Sequence, residues 1–220
     1  MANNIWLSRL TLESGGKAGV CSLDVDRSRV KKEVKEYKED VFPLENDILF
    51  EKIDMSDYQE INYSILIKEL YEGRLRQGWG WKFEGLSTDL SKNEEDWTIN
   101  FIKLHFRLFD KDVKCNRACG RYKVLHQMKD MVKGDVIFIP RIPDYGSFSV
   151  AKVKTGYSFD SNEKWMSFCH IIDVDNIRSY KYEDHFEGKT FNPYRRAVNK
   201  IGTTHMNYPV LDEFLKEHYY

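Results

Sequence analysis

The chain has 220 residues, 41% of them hydrophobic and 31% charged, a balance that fits one large globular domain with a core that needs no disulfide framework. Lysine and arginine (34) nearly balance aspartate and glutamate (35), so bulk charge gives the chain no attraction to polyanions. No run approaches the roughly 20 apolar residues of a membrane span, the N-terminus lacks the regions of a signal peptide, and four cysteines without paired spacing imply a reducing, cytoplasmic setting.

Ile5 to Thr11 reads as a first strand, broken at Gly15-Gly16, and Val20 to Val25 as a second short one. Asp26 to Asp40 carries Val30, Val34 and Tyr37 on one narrow helical stripe, with Ser28 as the candidate cap and Pro43 ending the unit. Ile48 to Ile53 is a strand candidate. Asn62 to Glu72 places Ile65, Leu66, Leu70 and Tyr71 at helical spacing, closed by Gly73. Arg74 to Trp81 is extended and ends in two tryptophans around a glycine. Ser87 to Leu108 is helical in its second half, where Trp97, Phe101, Leu104 and Leu108 align. A further helix spans Arg121 to Val132, with Val124, Leu125, Met128 and Met131 on one side.

The strongest local signal is the stretch from Gly134 to Val153. Val136 to Ile139 is a continuous apolar run typical of a buried strand, and Pro140 and Pro143 end it because proline cannot donate to a sheet. Asp144-Tyr145-Gly146 is a turn, and Phe148, Val150 and Lys152 start a returning strand. Phe168 to Val174 is a third strand of the same sheet, and the tail from Tyr180 holds short segments and an amphipathic helix over Leu211 to Tyr219. The predicted fold is α+β: a bent β-barrel flanked by helices.

Charge is uneven along the chain. Lys31 to Glu60 holds five basic and ten acidic residues, whereas Arg117 to Lys154 holds eight basic and three acidic, which predicts a basic face around the hairpin. The sharpest candidate site is Gly78-Trp79-Gly80-Trp81, where glycines on both sides of Trp79 let the backbone bend and leave a ring face uncovered. With Tyr145, Tyr157, Phe159 and Trp165 it makes an aromatic pocket for a flat base; the competing reading puts these rings in the core. Arg74, Arg76, Arg141, Lys152 and Lys154 flank the aromatic stretches and are the candidate phosphate contacts.

Other chemistry is weakly signalled. Cys115 and Cys119, with Cys169, His170 and His126, do not have the paired spacing of a zinc ribbon and read as structural cysteines, with no metal. Glu51-Lys52 and Asp54 miss the spacing of a nuclease centre, and no nucleophile elbow, P-loop or zincin helix is present, so neither catalysis nor a cofactor is expected.

Trp6-Leu-Ser-Arg9, Glu72-Gly-Arg-Leu-Arg-Gln-Gly-Trp-Gly80, the Gly134-Asp135 hairpin, Gly156-Tyr-Ser-Phe159 and Phe168-Cys-His170 occur in that order. The combination resembles the EVE-like, PUA-superfamily domains at the N-terminus of Mrr-type, modification-dependent restriction proteins, relatives of the YTH and EVE readers. The resemblance covers roughly Ile48 to Tyr180 plus the first strand. It implies a recognition domain over residues 1–180, with an insertion at about 13–45, and a helical extension of the same domain over 181–220. It also implies an aromatic pocket lined by Trp79 and the Tyr157/Phe159 loop, DNA carrying a modified base as partner, and a nuclease domain or subunit beyond these residues as effector. The expected function is therefore non-catalytic recognition of a flipped, modified base in DNA. The alternatives are an RNA-binding module of the same superfamily, a small metal-dependent nuclease using Asp54, Asp57 and Asp89, and an interaction scaffold whose rings are core.

Overall fold

The structure, a computed structural model, describes residues 4–10, 20–44, 55–161, 167–187 and 197–220, with the backbone alone for 55–62. The predicted strand over Ile48 to Ile53 and the candidate Trp165 lie outside these residues, as does Asp54.

The hairpin forms as its residues dictate. Strand β5 (Val136–Pro140) pairs antiparallel with the long β6 (Ser147–Phe159), and β6 pairs with β7 (His170–Lys181). Strand β1 (Ile5–Ser8) joins β5 in parallel, β2 (Arg74–Gln77) adds to β7, and β8 (Val198–Ile201) adds to β1. The order is β2-β7-β6-β5-β1-β8, with a separate small hairpin of β3 (Lys82–Phe83) and β4 (Leu86–Ser87).

Strand β5 is apolar along its whole length, and β1 is buried throughout, because the sheet is covered on both faces there. Trp6, Leu75, Ile137, Ala151, Val153 and Ile172 point into one core, which α3 (Glu94–Phe109) and α4 (Cys115–His126) share. Ile5, Leu7, Val136, Phe138, Phe148 and Val150 point into the other, closed by α6 (Tyr208–Phe214) and the wider turn that continues it to Tyr219. The tail from 181 onward is thus more than a helical extension: it supplies α5 (Tyr182–Phe186), the edge strand β8 and the cover of the second core.

Among the described residues the strands form an open sheet, with β2 and β8 as its edges, and no backbone pairing closes the expected barrel. The sheet nevertheless curls hard. Gln77 Nε2 on β2 donates to Ser8 Oγ on β1 at 2.8 Å and to the Arg9 carbonyl at 3.1 Å, although β2 and β1 are four strand steps apart. In a flat sheet that separation would be about 19 Å. Two register shifts along the β6–β7 ladder, at Val150/Lys152 and Val153/Tyr157, supply local twist and bend.

The helices follow from their stripes. In α3 the predicted Trp97, Phe101, Leu104 and Leu108 are buried, Asn93 caps the N-terminus by accepting from Asp96 N–H, and three acidic residues occupy the first turn. Helix α1 (Arg27–Asp40) is capped by Asp26, which accepts from the Ser28 and Arg29 amides, so the cap lies two residues before the expected Ser28. Helix α2 (Met55–Tyr71) begins before the predicted Asn62 and ends as expected at Gly73, whose φ is +93°. Residues 20–26 form no strand; they run as a turn whose Cys21 and Val25 are buried against the first core.

The Gly134-Asp135 pair is what fastens the hairpin to the N-terminus. Asp135 is buried and accepts from Trp6 Nε1 at 2.7 Å, from Asn4 N at 3.0 Å and from Val132 N at 3.2 Å. A buried carboxylate needs such donors. Trp6 and Asp135 are therefore one structural unit.

Candidate functional site

At the end of β2 the chain turns sharply, and its two tryptophans part. Trp79 adopts φ +65°, in the left-handed region that a bulky residue enters only when its surroundings hold it there. Thr88 supplies that hold: its hydroxyl donates to the Trp79 carbonyl at 3.1 Å and accepts from Trp81 N–H at 2.7 Å. Gly80 is required by crowding, since a Cβ there would lie 3.0 Å from Cys169 Cβ and 3.1 Å from His170 Cδ2. The outcome is a half-buried Trp79 and an inward Trp81. Trp81 is 7% exposed and packs on Phe101, His105 and Phe109, so it belongs to the core and leaves the proposed pocket.

His170 is the hub behind Trp79. It is fully buried and pairs across the sheet with Gln77 on one side and Phe159 on the other. The Phe159 ring meets it edge-on at 5.3 Å, and the Tyr157 hydroxyl sits 3.0 Å from its Nδ1. That hydroxyl donates to Asp89 Oδ1 at 3.2 Å and accepts from Leu90 N–H at 3.2 Å. The one hydroxyl therefore links Asp89, Leu90 N–H and His170 Nδ1, the direction of the last contact being set by the imidazole tautomer. Burial pushes the His170 imidazole down to about 4, against the Trp79 backbone and the Asp89 charge, so the ring is neutral near pH 7. Burial likewise raises Tyr157 far above the usual tyrosine range. His170 Nε2 has no hydrogen-bond partner of normal geometry among the described residues. Tyr157 and Phe159 thus converge on His170, whose imidazole the Trp79 backbone also approaches.

Arg121, on α4, is the unforeseen member. Its guanidinium lies 5.0 Å from the Trp79 ring centroid and 5.1 Å from that of Phe101. It is half-buried, its Nη1 is buried without a partner, and no carboxylate pairs with it among the described residues. Burial pushes it down to about 10, with Arg117 adding repulsion. His105 stands against Trp81 and Phe101 and is itself pushed down to about 4 by burial and by Arg121, Lys111 and Arg117. Several positive charges thus converge on the Trp79, Trp81 and Phe101 rings, with Asp89 the carboxylate on the His170 side of the site. The signal was present in the sequence: position 121 is three residues after the buried Ala118 and four before the buried Leu125, an arginine on an apolar helical stripe.

The expected phosphate contacts scatter. Arg76 is 2% exposed and donates through Nε to Glu69 and through Nη2 to Asp160, at 2.8 and 3.0 Å. Arg74 donates to both oxygens of Glu69 at 2.7 and 2.8 Å. The Arg74 and Arg76 guanidiniums hold the Glu69 carboxyl down at about 2, so these two arginines serve an internal network under α2. Arg141 and Tyr145 stack on each other, 5.2 Å apart, in the β5–β6 turn. That turn is at the opposite end of β6 from Tyr157 and Phe159, along a strand whose contour is about 40 Å. Lys152 is partly exposed and lies on the sheet face of Phe148 and Val150, and Lys154 is exposed.

Cys21 and Cys119 are disulfide-bonded, which the spacing of the cysteines did not suggest, and the thiol of Cys115 sits beside them. Cys169 is buried, and burial pushes its thiol up to about 12, which leaves it inert.

Comparison of the chain with protein-family models, with curated proteins and with solved structures finds no match.

Proposed function

We propose that the chain is a nucleic-acid-binding module that takes a modified base of DNA into the pocket at Trp79, Tyr157 and Phe159, and that it acts as the specificity part of a modification-dependent restriction system. The observation that carries this reading is Arg121, a half-buried guanidinium against the Trp79 ring with no carboxylate partner among the described residues. A cation is kept desolvated at a cost, and an anionic or electron-rich ligand offsets that cost. A base stacked on the tryptophan, with its phosphate near Arg121, fits both needs.

The energetics are adequate. Flipping a base costs a few kcal/mol, and aromatic stacking returns roughly 1–3 kcal/mol per base. Asp89 accepts from Tyr157 and from Ser91 N–H through Oδ1, and its second oxygen is suited to accept from the exocyclic amino group of cytosine or adenine. The Gln77–Ser8 bond supports a PUA-like reading of the curled sheet, in which side chains bridge where backbone pairing does not.

The test is a titration at one fixed salt concentration with duplexes carrying cytosine, 5-methylcytosine, 5-hydroxymethylcytosine, adenine or N6-methyladenine, and with matching single-stranded RNAs. The expected result is a preference of about tenfold for one modified duplex, lost in Arg121→Gln; one extra methyl in an apolar pocket is worth about 1–3 kcal/mol. Equal weak binding to every duplex overturns the reading, and a preference for single-stranded RNA moves it to the RNA-binding alternative.

A further inference from the structure

Three sulfurs from two separate parts of the chain meet at one point. Cys21 comes from the turn before α1, and Cys115 and Cys119 lie four residues apart on one face of α4. Their Sγ atoms all lie within 4.8 Å of one another. Cys115 Sγ is 3.5 Å from Cys21 Sγ and 4.0 Å from Cys119 Sγ. A disulfide between Cys21 and Cys119 uses two of the three and leaves the position of the third unexplained.

We propose that the reduced protein binds one thiophilic divalent metal ion, of the zinc class, through the thiolates of Cys21, Cys115 and Cys119. Sulfurs at about 2.3 Å from a tetrahedral zinc stand about 3.8 Å apart, and the two Cys115 separations bracket that edge length. Cys21 and Cys119 are buried and Cys115 is half-buried, so the ion would be covered on three sides and open on the fourth. The Asn116 carboxamide oxygen, 3.5 Å from Cys21 Sγ, or a water takes that fourth position.

The surroundings suit a metal thiolate. Thr98 Oγ1 lies 3.6 Å from Cys119 Sγ and can donate to it, the outer contact that orients a ligating sulfur. Cys115 is the first residue of a 12-residue helix, where backbone amides favour negative charge. Lys123 bonds the Val20 carbonyl beside Cys21 and is paired with Glu94 at 3.9 Å, so this corner of the site is close to neutral before the thiolates form. The balance is simple. A phosphine reductant gives the disulfide two electrons and takes the oxygen of a water molecule to become its oxide, and the two protons of that water complete the two thiols. The ion then replaces the three thiol protons, which go to solvent.

The experiment uses the full chain, reduced with a phosphine and freed of metal, titrated with Co2+ and then with Zn2+. The expected result is a 1:1 complex with sulfur-to-cobalt charge-transfer absorption, displaced by Zn2+ and at least tenfold weaker in Cys115→Ser. In parallel, Zn2+ should protect Cys21, Cys115 and Cys119 from alkylation as mapped by mass spectrometry, a readout that stands if the serine variant does not fold. Absence of the absorption, binding unchanged by Cys115→Ser, or alkylation rates unaffected by Zn2+ would each overturn the site and leave a disulfide with a neighbouring thiol.

Discussion

Arg121 lies 5.0 Å from the centroid of the Trp79 ring, a cation held against an aromatic face at the mouth of a buried histidine network. A cation–π contact returns about 0.5–2 kcal/mol. The unpaired Nη1 and the lowered Arg121 pKa indicate that desolvation costs at least as much. Arg121→Met should therefore leave stability unchanged or raise it by about 1 kcal/mol, while abolishing selective nucleic-acid binding. Urea unfolding of the two proteins checks this; a loss above 1 kcal/mol would make Arg121 a structural residue.

Glu69 is a carboxylate that Arg74 and Arg76 share. Removing it takes away one of the carboxylates on Arg76, which is 2% exposed, and breaking a buried pair typically costs about 3–5 kcal/mol. Glu69→Ala should lower the unfolding free energy by about that amount, with Glu69→Gln losing less because it still accepts hydrogen bonds. A loss under 1 kcal/mol in both variants would show that Asp160 alone satisfies Arg76.

Acid should destabilise the protein through two histidines. His105 and His170 both sit at about 4 in the folded chain against an ordinary 6.5, so between those values the unfolded state binds more protons. Stability rises with pH there, is complete above about 6.5 and falls as pH drops towards 4, by a few kcal/mol in total. Urea midpoints at pH 7 and pH 5 measure the loss, and His105→Phe should shrink it. An identical slope in that variant would remove His105 from the account.

Two glycines should answer alanine differently. At Gly80 the added methyl meets Cys169 and His170 at 3.0–3.1 Å, contacts that the packed sheet cannot relieve, so the cost is about 1–3 kcal/mol. At Gly202 nothing lies within 4 Å, and the change should stay within about 0.5 kcal/mol. Thermal unfolding of both variants compares them, and equal effects would contradict the packing around Trp79.

Local pattern made much of the fold readable. The apolar run at Val136–Ile139 with prolines beyond it marks a strand ending in a turn, and the Trp97, Phe101, Leu104 and Leu108 spacing marks a helix face. The tryptophan between glycines at 79 was visible for the same reason, since glycine reports backbone conformation directly. Arg76 misled, because an arginine beside an aromatic motif looks alike whether it faces phosphate or Glu69.

What the sequence determined by itself was the identity of the β5–β6 hairpin, the faces of α1 and α3, and Trp79 as a ring set on a bent backbone. Tertiary structure alone decided that Trp81 turns inward, that Gln77 reaches Ser8 across a curled sheet, that Arg121 covers Trp79, and that Cys21 meets Cys115 and Cys119. The physical reason is range. Periodicity and turn chemistry act over a few residues, whereas these four contacts depend on which distant segments pack together, and no local pattern encodes that.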